Sequence, residues 1–176
     1  PDLSDIYKLT INSKNNDQYL LDGEWTDFVK RDQVFRVKLF GPLHINYPIT
    51  MYHSEHGPVL KEGEKAYAIR FVGMDNVNHS TAWFKMNKAK NFDEWIGALK
   101  MQQIASFNLV YADKEDNIYF VHNMKAPKRN SDYDWTKVLP GDDRNLIWTE
   151  YHKFKDIPQI LNPDSGYLFS TNQNPF

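Results

Sequence analysis

Apolar and polar residues alternate through the first third of the chain. Tyr7, Leu9 and Ile11 fall on one side of residues 6–11, with Lys8 and Thr10 on the other, which predicts a half-buried strand. The polar run 12–18 predicts a loop. Residues 19–21 and 24–29 flank Asp22-Gly23 and predict a hairpin, because that pair suits the left-handed turn of two-residue loops. Alternation returns over 34–40, where Phe35, Val37 and Leu39 share a face, and Gly41-Pro42 ends it. Ile45, Tyr47, Ile49 and Met51 share the face of the next strand, and Pro48 marks that strand as an edge or a bulge. Gly57-Pro58 and 61–65 read as turns, and Tyr67, Ile69 and Phe71 as the apolar face of another strand.

The period then changes. Phe92, Trp95, Ile96 and Leu99 recur at helical spacing, and Trp95 is the clearest core residue among them. Asn91, with Glu94 three residues on, is an Asn-headed capping box that predicts the helix start. A shorter helix is expected over 81–86. Two apolar runs, 107–112 and 118–122, flank the polar stretch 113–117 and predict a hairpin with a longer loop. Residues 124–166 carry four prolines and predict irregular structure, followed by a last strand over 167–170. No internal repeat interrupts the order. The pattern predicts one α+β domain over 1–176, mostly antiparallel strands with helices inserted in the middle.

Aromatic residues make up 15% of the chain, enough for a substantial core and an aromatic-lined surface, which excludes disorder. The 21 basic and 23 acidic residues leave no basic excess, so a nucleic-acid partner is not expected. The short group Lys125, Lys128 and Arg129 reads as a solvated turn. No apolar stretch approaches the ~20 residues of a membrane-spanning helix. Cysteine is absent, which excludes thiol catalysis, disulfides and Cys-based zinc sites. The chain opens at Pro1 with a strand pattern within five residues and no visible signal peptide, which predicts a piece of a longer polypeptide.

Candidate chemistry is sparse. His53 and His56 are spaced like a metal pair, but a strand before them and Gly57-Pro58 after them favour a turn. No nucleophile elbow, phosphate-binding loop or dinucleotide fingerprint is present. Asp2 and Asp5 are two hard carboxylates three residues apart, which suits either calcium or plain solvation. Trp83, Trp95 and Phe107 read as core, or as the lining of an acyl pocket. Asn172 follows the last predicted strand; it suits a turn, and its amide is also a donor that can hold an oxyanion.

Four separated segments, taken in order, narrow these choices. They are His56-Gly57-Pro58-Val59-Leu60; Asn91-Phe92-Asp93-Glu94-Trp95; Asn108-Leu109-Val110-Tyr111-Ala112-Asp113 with Asn117-Ile118; and Asn162-Pro163-Asp164-Ser165-Gly166-Tyr167. Asp5-Ile6-Tyr7, Asp22-Gly23-Glu24-Trp25, Ala126-Pro127-Lys128-Arg129 and Leu139-Pro140-Gly141 join them. The set resembles the β subunit of the penicillin acylase family, which includes acyl-homoserine lactone acylases, over nearly the whole chain. Met124 and Asp116 stand where that family often has Gly, and Trp135 where it has Pro.

The resemblance implies part of the αββα sandwich of N-terminal-nucleophile hydrolases. It implies a self-cleaving precursor whose new N-terminal Ser attacks an amide carbonyl, with its own α-amine as base. That Ser falls upstream of Pro1, and Pro1 itself has no hydroxyl, so the chain alone is expected to be inactive. The family's oxyanion Asn maps onto Asn172, and its acyl-side residues map onto Trp83 and Phe107. Its calcium ligands map onto Asp2, Ser4, Asp5 and Trp135, with the others outside this chain. Implied partners are the remainder of the β subunit, the α subunit and a small N-acyl amide substrate, in a periplasmic or secreted setting without a membrane. A non-catalytic binding module keeping the same shape is the alternative.

Overall fold

The structure is a computed structural model and describes residues 4–171. Twelve strands and two α-helices follow in the order β1 (Ser4–Leu9), β2 (Ile11–Asn12), β3 (Asn15–Leu21), β4 (Glu24–Asp27), β5 (Val29–Phe40), β6 (Leu43–Ser54), β7 (Gly57–Glu62), β8 (Lys65–Phe71), α1 (His79–Lys88), α2 (Phe92–Leu99), β9 (Ser106–Ala112), β10 (Ile118–Met124), β11 (Leu139–Pro140) and β12 (Gln159–Leu161). The α+β reading with mostly antiparallel strands holds; the pairing of β1 with β11 is parallel. Contacts group the chain into two compact units. Among the described residues, one holds Phe71–Lys128 and 148–171, and the other holds 4–70 together with Arg129–Ile147.

The second of these units carries a six-stranded sheet in the order β11-β1-β8-β7-β6-β5 and a three-stranded sheet, β2-β3-β4. Its core gathers Tyr7, Leu9, Tyr19, Leu21, Val59, Ala66 and Ala68 with Leu139 and Leu146. The alternation in 6–11 buries Tyr7 and Leu9 as expected. The hairpin about Asp22-Gly23 also forms, and φ of 50° and 83° at those residues explains the pair. Three expectations are corrected. Much of 12–18 belongs to β2 and β3 rather than to a loop, because a two-residue turn suffices to join them. Gly57-Pro58 opens β7 rather than standing in a turn. On β8 the small residues Ala66 and Ala68 face the core, while Tyr67 and Ile69 are half-buried and Phe71 is exposed. The larger side chains misled the pattern because a tightly covered sheet face has room only for Ala.

Beyond Tyr52, β5 and β6 continue as a two-stranded ribbon, since β7 pairs with β6 only over Tyr52, His53 and Ser54. Pro48 lies opposite Val34 in this ribbon with no strand on its other side, so its missing N–H costs no ladder bond. Cross-strand partners share a face, which puts Phe35 with Tyr47, Val37 with Ile45, Gln33 with Ile49 and Arg31 with Met51 on one side. The six apolar side chains among them are each 37–57% exposed. The opposite face carries Lys30, Asp32, Arg36 and Lys38 with Thr50, Asn46 and His44.

Leu139-Pro140-Gly141 has a packing reason. Gly141 N–H donates to the Lys8 carbonyl at 2.9 Å. A Cβ on Gly141 would stand 2.5 Å from Leu9 Cδ2 and 2.7 Å from that carbonyl oxygen. Gly141→Ala should therefore separate β11 from β1 and cost about 1–3 kcal/mol, an overpacking effect read from the midpoint of urea unfolding. An unchanged midpoint would show that the edge yields freely.

The other unit pairs β12-β10-β9 in one antiparallel sheet with α1 and α2. Its core joins Ala82, Met86, Ala98 and Leu99 to Ile104, Tyr119, Val121, Phe154 and Ile157. Asn91 caps α2: its Oδ1 accepts from Glu94 N–H at 2.9 Å, and the Glu94 carboxylate accepts from Lys90 N–H at 2.9 Å. Trp95 is half-buried and packs its ring on Tyr111 at 4.8 Å. α1 runs over ten residues against eight in α2, so the expected shorter helix is the longer one.

The loop 113–117 closes on Asp113, whose carboxylate accepts from Asn117 N–H, Asn117 Nδ2, Glu115 N–H and the Tyr111 hydroxyl. These donors, Asn117 foremost, hold its pKa below the ordinary carboxylate range. Asp116 takes φ 62°, the left-handed conformation that Asp tolerates and Gly prefers. Asn162, at φ 47°, accepts from Ile118 N–H at 2.8 Å, which ties the Asn162-Pro163 segment to the hairpin. The strand expected over 167–170 does not form; no strand pairs with these residues among those described.

Candidate functional site

Of the residues the resemblance singles out, Asp2 and Asn172 lie outside the described residues. The structure brings Trp83 and Phe107 together. Trp83 projects from the second turn of α1 and is half-buried; Phe107 stands on β9 and is 48% exposed. Their ring centroids are 5.6 Å apart at 86°, an edge-to-face contact. On its other side the Trp83 indole N–H donates to His79 Nε2 at 3.0 Å. The result is an aromatic step with accessible faces, which can receive a flat or chain-like apolar group. Sequence pattern did not single out His79; the only signal was its position four residues before Trp83 on one helix face.

Ser4 is an exposed residue at the start of β1, and Asp5 beside it points the opposite way and is buried. The Asp5 carboxylate takes a two-pronged contact from Arg129, Nη2 to Oδ1 at 2.7 Å and Nε to Oδ2 at 3.1 Å. Its side chain has 0% exposure, against 21% for Arg129. Arg129 also faces the Trp135 ring, its Cζ 5.4 Å from the centroid. Two residues to which the resemblance gives a calcium role thus converge on a guanidinium. The described residues do not fit calcium on their own. The one buried carboxylate already has a cation, and no group of three or more His, Cys, Asp or Glu gathers among the described residues.

Arg129 corrects the solvated-turn reading, whereas Lys128 keeps to it with an exposed side chain. Lys128 pairs with Glu150 at 2.8 Å, and Lys125 Nζ lies 4.6 Å from the Tyr151 ring centroid. Nothing local revealed Arg129, because its partner is 124 residues away.

Two histidines are buried without catalytic company. His56 is fully buried against the Tyr7 ring, at 4.6 Å between centroids. Neither of its ring nitrogens has a hydrogen-bond partner among the described residues. Burial pushes its pKa down to about 4, overcoming the opposite pull of the Asp143 backbone, Glu55 and Asp22. His53 lies on β6 and is exposed, so the two do not form a metal pair. His122 on β10 meets Asn108 Oδ1 through Nδ1 at 2.5 Å, and burial lowers its pKa. Arg144 is the other local hub, forking onto Glu55 and also reaching Asp22, which lowers the pKa of Glu55.

Mostly antiparallel sheets, a helix pair bearing the aromatic step and the ordered turn motifs define an acylase-type α+β fold. The penicillin amidase family profile matches residues 1–176, and the chain belongs to that family. It is 30% identical to penicillin G acylase of Escherichia coli over 175 residues, 97% of this chain and 20% of that protein. It is 23% identical over 135 residues to the acyl-homoserine lactone acylase PvdQ of Pseudomonas fluorescens, 72% of this chain and 17% of that protein. The solved thermostable penicillin G acylase of Alcaligenes faecalis superposes with a TM-score of 0.86 at 29% identity, covering 100% of this chain and 32% of that one. The chain therefore spans about a fifth of the length of the curated relatives it matches.

Proposed function

We propose that this chain is a segment of an amide hydrolase that releases an apolar acyl group from N-acyl amides such as penicillins or N-acyl-homoserine lactones. The observation that carries the reading is family membership along the whole chain, with Trp83 and Phe107 in contact where an acyl pocket is expected. In this reading a Ser outside residues 1–176 is the nucleophile. Its Oγ bonds to the amide carbon while its α-amine takes the hydroxyl proton. The Asn172 side-chain amide donates to the carbonyl oxygen as it gains negative charge. The C–N bond then breaks, the proton passes to the departing nitrogen, and water later cleaves the acyl ester to release the acid. Residues 1–176 alone are expected to give no turnover.

The largely apolar face of the β5–β6 ribbon, exposed among the described residues, supports a place within a larger assembly. We assign its occupant as the remaining polypeptide of a family-length protein, since the matched relatives are about five times as long as this chain. A periplasmic or secreted location and a structural calcium remain proposals about that assembled protein. For calcium, Asp2, a Ser4 or Trp135 carbonyl and ligands from outside the chain would have to complete what Asp5 begins.

The test is hydrolysis of N-acyl p-nitroanilides by the family-length protein. Turnover should favour long or aromatic acyl groups over acetyl. Asn172→Ala should lower kcat by about 10²–10³-fold with a much smaller change in KM, the usual loss for one oxyanion donor. Asn174→Ala, two residues on, should be mild. Absence of hydrolysis across the series would favour a binding module, and a reversed pair of effects would move the oxyanion donor to Asn174.

A further inference from the structure

The His79–Trp83 contact has a chemical direction. An indole N–H is a donor only, so the His79 Nε2 that faces it at 3.0 Å must hold a free lone pair. The two rings also meet edge-to-face, 6.2 Å apart at 78°. Trp83 is thus held on one side by a hydrogen bond one helical turn back, and on the other by the edge of Phe107 at 5.6 Å. Trp83 also packs its half-buried side against the core of this unit, so the His79 bond sets the direction of its indole N–H on a ring already seated there.

We infer that His79 is a positioning residue for acyl-group recognition: its Nε2 fixes the Trp83 indole in the orientation that presents, with Phe107, an aromatic step to an apolar acyl chain. This deepens the acylase reading and rests on it. The residue touches the tryptophan and not the substrate, so it acts on binding of the acyl group rather than on bond breaking. Its effect should scale with the size of the acyl group and vanish for acetyl.

Two substitutions separate its features. His79→Phe keeps an aromatic ring beside Trp83 and removes the acceptor; His79→Gln removes the ring and keeps an acceptor oxygen. In ¹H–¹⁵N spectra of the family-length protein, the Trp83 indole resonance is identified by its loss in Trp83→Phe. It should shift and exchange faster in His79→Phe, and stay close to its original position in His79→Gln. In the family-length protein, His79→Phe should raise KM for a phenylacetyl or octanoyl p-nitroanilide by about 2–10-fold, the worth of one ordinary hydrogen bond. kcat and the KM for the acetyl substrate should be unchanged, and His79→Gln should restore the wild-type KM. An indole resonance indifferent to His79→Phe overturns the tether. A lost tether with unchanged KM, while Trp83→Ala does raise KM, overturns the positioning role alone. An unchanged KM in Trp83→Ala, or no turnover by the family-length protein, overturns the acylase reading of this site and the role of His79 with it.

Discussion

Replacing Arg129 by methionine should cost the chain about 3–5 kcal/mol, the usual penalty for removing one partner of a buried ion pair. The magnitude follows from Asp5, whose side chain has no exposure and whose two carboxylate oxygens each face a guanidinium N–H. Methionine fills a similar volume against Trp135 but leaves the buried negative charge without its cation. Lysine should recover only part of the loss, because a point charge cannot reproduce the fork. The double change Asp5→Leu with Arg129→Met should recover most of it, since an apolar pair of similar size needs no desolvation of charge. Urea unfolding measures all four proteins, and a single-variant loss below about 1 kcal/mol would show that the pair is not the counter-charge it looks like. Calcium added to Arg129→Met probes the metal proposal at the same residue. Rescue of stability would show that Asp5 accepts a divalent ion, and its absence in the family-length protein as well would remove Asp5 from the ligand set.

The second large effect is acid sensitivity. His56 is neutral in the fold down to about pH 4, whereas an unfolded histidine takes up its proton near 6.5. Between those values the unfolded chain binds more protons, so stability falls as pH falls. His56 contributes fully above about 6.5 and its contribution disappears as the pH approaches 4, a loss of about 3 kcal/mol. Burial is the main reason protonation is resisted, and the groups around it add to it or oppose it. Arg70 donates to the His56 carbonyl at 3.2 Å and repels a second cation, the Tyr7 ring closes one side, and Glu55 and Asp22 pull the other way without prevailing. Comparing unfolding free energies at pH 7 and pH 4.5 for the wild type and His56→Leu isolates this residue from the acid response of the carboxylates. The wild type should lose more stability than the variant; parallel losses would mean that His56 charges freely in the fold.

Local rules were legible where a residue's own backbone or next neighbours settle its fate. Asp22-Gly23 adopts positive φ at both positions, and Asn91 caps α2 through Glu94, because these interactions span three residues or fewer. Pro48 was readable as an edge residue because it has no N–H to give. Alternation in 34–40 and 45–51 was readable as strand, since period two is a property of the extended backbone. The ordered motifs were readable as an acylase segment, and several now have a mechanical reason. Gly141 leaves room for Lys8 and Leu9, Asp113 closes its turn, and Asn162 ties that hairpin down.

What the sequence by itself determined is most of the elements, their α+β class and the family to which they belong, because periodicity, turn chemistry and motif order are all written in short windows. Tertiary structure alone decided which charges and rings meet. It carried Arg129 across 124 positions to Asp5 and set Trp83 of α1 against Phe107 of β9. It also turned Ala66 and Ala68, rather than Tyr67 and Ile69, into the buried face of β8. Those outcomes depend on which surfaces come within a few ångströms after the chain has closed, and side-chain identity along a single strand or helix carries no record of the partner that will cover it.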